Sequence, residues 1–272
     1  MQTPVEVKAK PAMTYNAASD HFDHPTNSFW ARFGSRTVER LNLIQGARVL
    51  DVCCGSGASA IPAAKAVGAG GSVLGVDLAD DLLSLARTKA AQSGYSHVEF
   101  RTGDLLDLAL PDAGFDAVIC VFGIFFVPDM QAAAQALWRL VRPGGQLAVT
   151  TWGPGFAEPM NSRFWSAVRE VNPDLDNGYH PWDRICEPDA VRSMLSGAGI
   201  GVQEVLLENA TQNLNSPEDW WHMVLGTGYR GTIDQLDLES REQVRRDNLE
   251  FIREKGVTSV EVNVIYAVAK KV

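Results

Sequence analysis

From Ala47 onward, short runs of apolar residues alternate with amphipathic stretches. Val49–Val52, Gly71–Asp77, His97–Arg101, Phe115–Phe122 and Gln146–Thr151 are brief and apolar, with Gly, Asp or Pro near their ends, a pattern that predicts strands. Between them, Ala58–Val67, Asp80–Ser93 and Met130–Val141 carry apolar residues at helical spacing, and Arg142-Pro-Gly-Gly145 predicts a turn. Strands and helices in this rhythm indicate βαβ units on a parallel sheet. Upstream, residues 26–44 predict a helix that Thr26 or Asn27 can cap, with Phe29, Trp30, Phe33, Val38 and Leu41 along one face. Residues 1–13, with two prolines and alternating charge, predict a disordered lead.

Beyond Thr151 the pattern changes. Residues 152–187 are rich in Trp, Pro, Phe and Asn and hold no clean strand. Asp189–Ala198 predicts a helix and Gly201–Ala210 a strand, residues 212–257 are helical or irregular, and Thr258–Lys270 predicts a closing strand. The expected organisation is one α/β domain over 1–272. Cover helices lie in 1–44, a ligand-binding core in 45–151, lid insertions in 152–187 and 212–257, and the closing strand in 258–272.

Composition narrows the function classes. At 272 residues, 46% hydrophobic and 21% charged, the chain reads as an ordinary globular protein. A net charge of -9 without any Lys/Arg cluster argues against a nucleic-acid partner. The longest apolar run, Ala117 to Val127, falls short of the roughly 20 residues needed to cross a bilayer. Met1 to Lys10 lack an apolar signal core. Cysteines at 53, 54, 120 and 186 look like a reduced interior rather than a disulfide framework, so a cytoplasmic location is expected.

The central chemical signal is Val49-Leu-Asp-Val-Cys-Cys-Gly-Ser-Gly57, a strand running into a glycine-rich turn that opens a helix. Gly55 and Gly57 lack Cβ atoms, so a ligand can approach the backbone closely. Val73-Leu-Gly-Val-Asp77 ends in a carboxylate twenty residues after Gly57, placed to accept hydrogen bonds from a ribose diol. In Phe100-Arg-Thr-Gly103-Asp104-Leu105 another acid follows a strand, suited to an adenine amino group with Leu105 over the ring. Each acid alone reads equally well as a helix cap. Acids at three successive strand ends, on the carboxyl edge of one sheet, are harder to explain that way.

Two cofactors compete for this pattern. Gly55-Ser-Gly57-Ala-Ser-Ala60 formally satisfies the dinucleotide fingerprint, which would make the chain an NAD(P)-dependent oxidoreductase. Asp51 counts against it, because a pyrophosphate at the turn would face a like charge in a partly dry crevice. S-adenosylmethionine carries an ammonium and a sulfonium instead, which a carboxylate stabilises. These residues resemble the class I methyltransferases, in particular the ubiquinone/menaquinone C-methyltransferases and natural-product methyltransferases. The resemblance runs from about Ala47 to Thr151. It includes Phe115-Asp-Ala-Val-Ile-Cys-Val-Phe-Gly-Ile-Phe-Phe-Val-Pro-Asp129 and Leu140-Val-Arg-Pro-Gly-Gly145, with Cys53 where the family usually has its first glycine. It implies a Rossmann-like seven-stranded sheet in the order 3-2-1-4-5-7-6, strand seven antiparallel, helices on both faces and a helical, aromatic lid. It also implies that Asp51, Gly55 and Gly57 contact the methionine end of the donor, with Cys120 and Val121 offering carbonyls to its amino group. Asp77 and Leu78 would then meet the ribose, and Gly103, Asp104 and Leu105 the adenine.

The acceptor is expected against the cover and the lid. Tyr15 and Trp30, together with Tyr179, Trp182, Arg184, Trp221, Tyr229 and Arg230, are the candidate contacts, suited to a planar or apolar small molecule or to the sulfonium. The same aromatics read at least as well as packing. His180 and His222 are the candidate bases, needed only if the acceptor must lose a proton. Cys53, Cys54 and Cys120 could converge as a thiolate metal site, but adjacent cysteines on a strand face opposite ways and no metal is expected. A non-catalytic donor-binding protein would show the same donor site, and the aromatic insertions could also serve a homodimer.

Overall fold

In the computed structural model, which describes residues 4–176 and 178–272, the apolar runs form one seven-stranded sheet. The strands are β1 (Arg48–Val52), β2 (Ser72–Asp77), β3 (Val98–Thr102), β4 (Phe115–Val121), β5 (Val141–Trp152), β6 (Val202–Glu208) and, after the small pair β7 (Thr211–Asn213) and β8 (Ser259–Glu261), β9 (Val264–Lys270). Their order is β3-β2-β1-β4-β5-β9-β6, with β9 antiparallel to both neighbours, so the expected topology holds with β9 as the seventh strand. β1 and β4 are buried along almost their whole length, as central parallel strands covered on both faces must be.

Right-handed crossovers fix where the helices lie. Along the chain come α1 (Pro4–Ala17), α2 (Ser19–Phe22), α3 (Phe29–Leu41), α4 (Ala60–Val67), α5 (Asp80–Gln92), α6 (Met130–Leu140), α7 (Met160–Val171), α8 (Pro188–Gly197), α9 (Pro217–Leu225), α10 (Arg230–Ile233) and α11 (Leu238–Lys255). α3, α4 and α5 pack in series on one face, and α6 with α8 on the other. The strand order reverses between β1 and β4, which opens a crevice at their carboxyl ends.

Several boundaries differ from the sequence expectation. The disordered lead gives way to α1 from Pro4, while Met1–Thr3 lie outside the described residues. The helix expected over 26–44 begins only at Phe29, after a 3-10 turn at Pro25–Asn27, and stops at Asn42, whose φ of 45° is left-handed. The turn expected at Arg142–Gly145 is instead the irregular first part of β5. Its pairing with β4 jumps from Phe115–Val141 to Ala117–Gln146.

The closing strand expected from Thr258 is broken in two. Asn263 interrupts it: its Oδ1 accepts the Ala210 amide at 3.0 Å, and its Nδ2 donates to the Pro154 carbonyl at 2.8 Å. Residues 152–187 hold a helix that their composition obscured. Met160, Phe164, Ala167 and Val168 bury one face of α7 at helical spacing.

Candidate active site

The turn after β1 is built from residues in the left-handed region. Gly55 has φ 52° and Gly57 has φ 85°, conformations that cost glycine nothing. Cys53 adopts φ 59° between them and the strand, which for an L side chain costs about 1–2 kcal/mol. Three hydrogen bonds hold the turn. The Cys54 amide donates to the Val76 carbonyl at 3.1 Å, Gly57 to the Cys54 carbonyl at 2.8 Å, and Gly55 to Asp77 Oδ2 at 2.8 Å.

Asp77, at the tip of β2, also accepts the Ala79 amide on Oδ1 at 2.8 Å. Burial pushes its carboxyl upward, and the amides of Ala79, Gly55 and Leu78 act in the opposite direction. Each oxygen keeps a second lone pair, so a diol can be received without breaking the turn. Asp104, after β3, accepts the Leu106 amide at 2.9 Å. Asp51 lies behind the turn, fully buried, with the Ser59 hydroxyl donating to its Oδ2 at 2.7 Å. Burial foremost, with a contribution from Asp77, pushes its carboxyl up to about 7.

A cavity of about 1200 Å³, counted to the solvent at its mouth, opens over this edge. Of the expected donor contacts, Gly55, Asp77, Leu78, Gly103, Asp104, Leu105 and Val121 line it. Asp51, Gly57 and Cys120 do not; they stand behind the wall, so any effect of theirs on a ligand passes through the turn or through the field. The cavity's other end is carbon-rich. Tyr15 and Trp30 reach it as expected, joined by Phe22, Phe122, Phe126 and Val127, which the sequence reading had not singled out as acceptor contacts. Phe22 and Trp30 stack with centroids 5.1 Å apart at 3°, and Tyr15 meets Phe22 and Phe126 edge-on. Phe122–Phe126 lie within the segment quoted above for the family resemblance, a signal that could have found them.

The lid residues go elsewhere. Tyr179, Trp182, Arg184, Trp221, Tyr229 and Arg230 do not line the cavity. Tyr229 is buried and donates its hydroxyl to Asn161 Oδ1 at 2.7 Å; Arg184 donates to the Pro128 carbonyl; Arg230 pairs with Asp20 and Asp234. Trp182 stacks on His180 at 5.0 Å. His222 stacks on His24 at 4.0 Å and on His21 at 5.5 Å, and burial together with these two rings lowers its pKa. Neither His180 nor His222 lines the cavity. Among the described residues no group of His, Cys, Asp or Glu is arranged to hold a metal ion, and no helix is long and apolar enough to cross a membrane.

Residues 6–175 match the ubiE/COQ5 methyltransferase family. A demethylmenaquinone methyltransferase of Anoxybacillus flavithermus is 34% identical over 137 residues, which cover 49% of this chain and 58% of that protein. The chain thus spans little more than half the length of that relative. The nocamycin O-methyltransferase of Saccharothrix syringae is 33% identical over 206 residues, covering 69% of the chain and 71% of the relative. Among solved structures, the YcgJ protein of Bacillus subtilis aligns with a TM-score of 0.59 at 19% identity, over 88% of this chain and 98% of that one. At that identity the likeness is one of fold.

Proposed function

The chain belongs to the ubiE/COQ5 methyltransferase family, whose methyl donor is S-adenosylmethionine, and from that premise we propose that it methylates a small acceptor with a flat, apolar body. The observation that carries this reading is the division of the cavity. Its donor half offers two carboxylates and a glycine-rich turn, and no Lys, Arg or His side chain among the described residues lines it to meet a pyrophosphate. When bound, S-adenosylmethionine supplies a methyl group already attached to a good leaving group. Asp77 would hold the ribose, Asp104 and Leu105 the adenine, and the buried Asp51 carboxyl would favour the cationic end through the turn.

The chain's remaining contribution is placement. Phe22, Trp30, Phe122 and Phe126 would hold an aromatic or natural-product-like acceptor against the donor and keep water out, which can supply most of the acceleration of an in-line transfer. Burial and the Asp77 charge hold the Tyr15 hydroxyl far above its ordinary pKa, so it would stay neutral and act as wall rather than as base. The nucleophilic atom, O, N or C, would then reach the site already able to react. Calorimetric titration with S-adenosylhomocysteine and, in parallel, with NAD⁺ tests the reading. Micromolar binding of the first and none of the second is expected. NAD⁺ binding in its place would return the chain to the oxidoreductases. Donor binding with no turnover across a panel of aromatic and polyketide-like acceptors would leave a donor-binding protein without the activity.

A further inference from the structure

Two thiols meet where the crevice opens. In β1 and β4, Val52 stands opposite Cys120 in parallel register. Registered neighbours share a face, so regular alternation would send the next residue, Cys53, to the opposite face. The left-handed turn at Cys53 prevents this and leaves its thiol beside that of Cys120. Gly123 confirms the crowding. A Cβ there would meet Cys53 Cβ, and would lie 2.6 Å from Cys53 Sγ and 3.1 Å from Cys120 Sγ. Strand spacing and rise place the two Cα atoms about 6 Å apart, within the range of about 4.4–6.8 Å that a disulfide accepts. Cys53 lines the cavity and Cys120 is wholly buried behind it, so a small reagent reaches the pair through Cys53 alone. Cys54 takes no part: its thiol points toward Gly75 on β2.

We propose that Cys53 and Cys120 form a reversible disulfide at the floor of the cavity, and that this bond weakens donor binding. The oxidant is a low-molecular-weight disulfide, RSSR. The Cys53 thiolate attacks one of its sulfurs, giving a mixed disulfide and releasing RS⁻. Cys120 then loses its proton and attacks Cys53 Sγ, releasing the second RS⁻. Two protein thiols are oxidised, one RSSR is reduced, and the two protons end on the two released thiols. The new bond draws the sulfurs to about 2.05 Å and ties the ends of β1 and β4 together. Cys53, Val121 and Gly123 all line the cavity there, so the tie narrows the end at which the donor's methionine chain would lie. The neighbouring Cys120 thiol and burial hold the Cys53 thiol well above its ordinary pKa, so the reaction is slow near neutral pH and quickens as pH rises.

Coupling is reciprocal: if oxidation weakens the donor tenfold, saturating donor disfavours the disulfide tenfold, a rise of about 30 mV in its reduction potential. The inference rests on the donor reading. The test treats the full chain with hydroxyethyl disulfide, alkylates the remaining thiols and maps the peptides, then titrates S-adenosylhomocysteine before and after dithiothreitol. Expected are a Cys53–Cys120 bond, alkylated Cys54 and Cys186, a Kd at least tenfold higher when oxidised, and recovery on reduction. Bound S-adenosylhomocysteine should slow the oxidation. Cys53→Gly, which relieves the left-handed strain, and Cys120→Ala should both lose the response. Absence of the bond, or a bond that leaves Kd unchanged, overturns the proposal. Failure of the reduced protein to bind S-adenosylhomocysteine overturns the donor reading instead, and the two results are read separately.

Discussion

The crevice over β1–β4 and the helical cap built from α7 and α9–α11 draw on the same residue types to opposite ends. In the crevice, polar groups are tied by short local bonds that leave an unused side facing the cavity; Asp77 binds two amides and still keeps lone pairs. In the cap, the members of the pairs Trp220–Asn248 and Tyr229–Asn161 are spent on one another. Trp220 is fully buried and donates to Asn248 Oδ1 at 2.9 Å, while Asn248 Nδ2 donates to the Val244 carbonyl. Tyr229 is closed onto Asn161 in the same way. A side chain therefore signals ligand chemistry by the capacity it has left once the fold has used what it needs.

The largest test of this contrast removes a cap residue. Trp220→Ala deletes a buried indole and orphans Asn248, at a cost of about 3–5 kcal/mol in stability. The folded fraction should bind S-adenosylhomocysteine as the parent does, since α9 contributes nothing to the cavity wall. Urea unfolding and calorimetry together decide it. Donor affinity that falls along with stability would show that cap and crevice are one cooperative unit. The converse substitution, Asp77→Ala, should weaken S-adenosylhomocysteine by about 1–3 kcal/mol, because on the proposed reading it would remove charge-assisted bonds to the ribose, along with the anchor of the Gly55 amide. Unchanged affinity would remove Asp77 from the donor site.

The contrast also explains what could be read beforehand. The sheet order, and the meeting of Gly55, Asp77 and Asp104 at one cavity, were legible because period, glycine position and strand-end acids all report on local backbone geometry. Cys53 was visible as a departure from the family's glycine, but its left-handed φ and its contact with Cys120 depend on how β1 meets β4. The aromatic wall was only half legible. Tyr15 and Trp30 were expected there, but Phe22 belongs to a four-residue helix too short to announce a face. Trp221, Tyr229 and His222, expected at the acceptor, lie off the cavity wall, for the opposite reason: aromatic and imidazole side chains carry both packing and chemistry, and only the tertiary contacts show which has been taken up. For His222, the ring faces pack against His24 and His21.

Asp51 lies between the two regimes, for it is as buried as any cap residue yet stands directly behind the cavity wall. Its carboxyl titrates at about 7, against an ordinary value of 3.8. A raised carboxyl pKa means that the folded protein holds the proton more tightly than the unfolded chain. Stability on this account is greatest at low pH, declines as pH rises from about 4 to 7, and then levels off. Asp51→Asn should lose that slope, about 4 kcal/mol across the window, when thermal unfolding is followed at several pH values. A cation placed above the turn favours the ionised carboxylate, so binding of S-adenosylmethionine near pH 7 should release a proton from the parent and none from Asp51→Asn. Titrations in buffers of different ionisation enthalpy measure that proton directly. No release from the parent would mean that the field of Asp51 does not reach the donor. The residue would then belong with the cap, as a buried carboxyl held by Ser59 through its Oδ2.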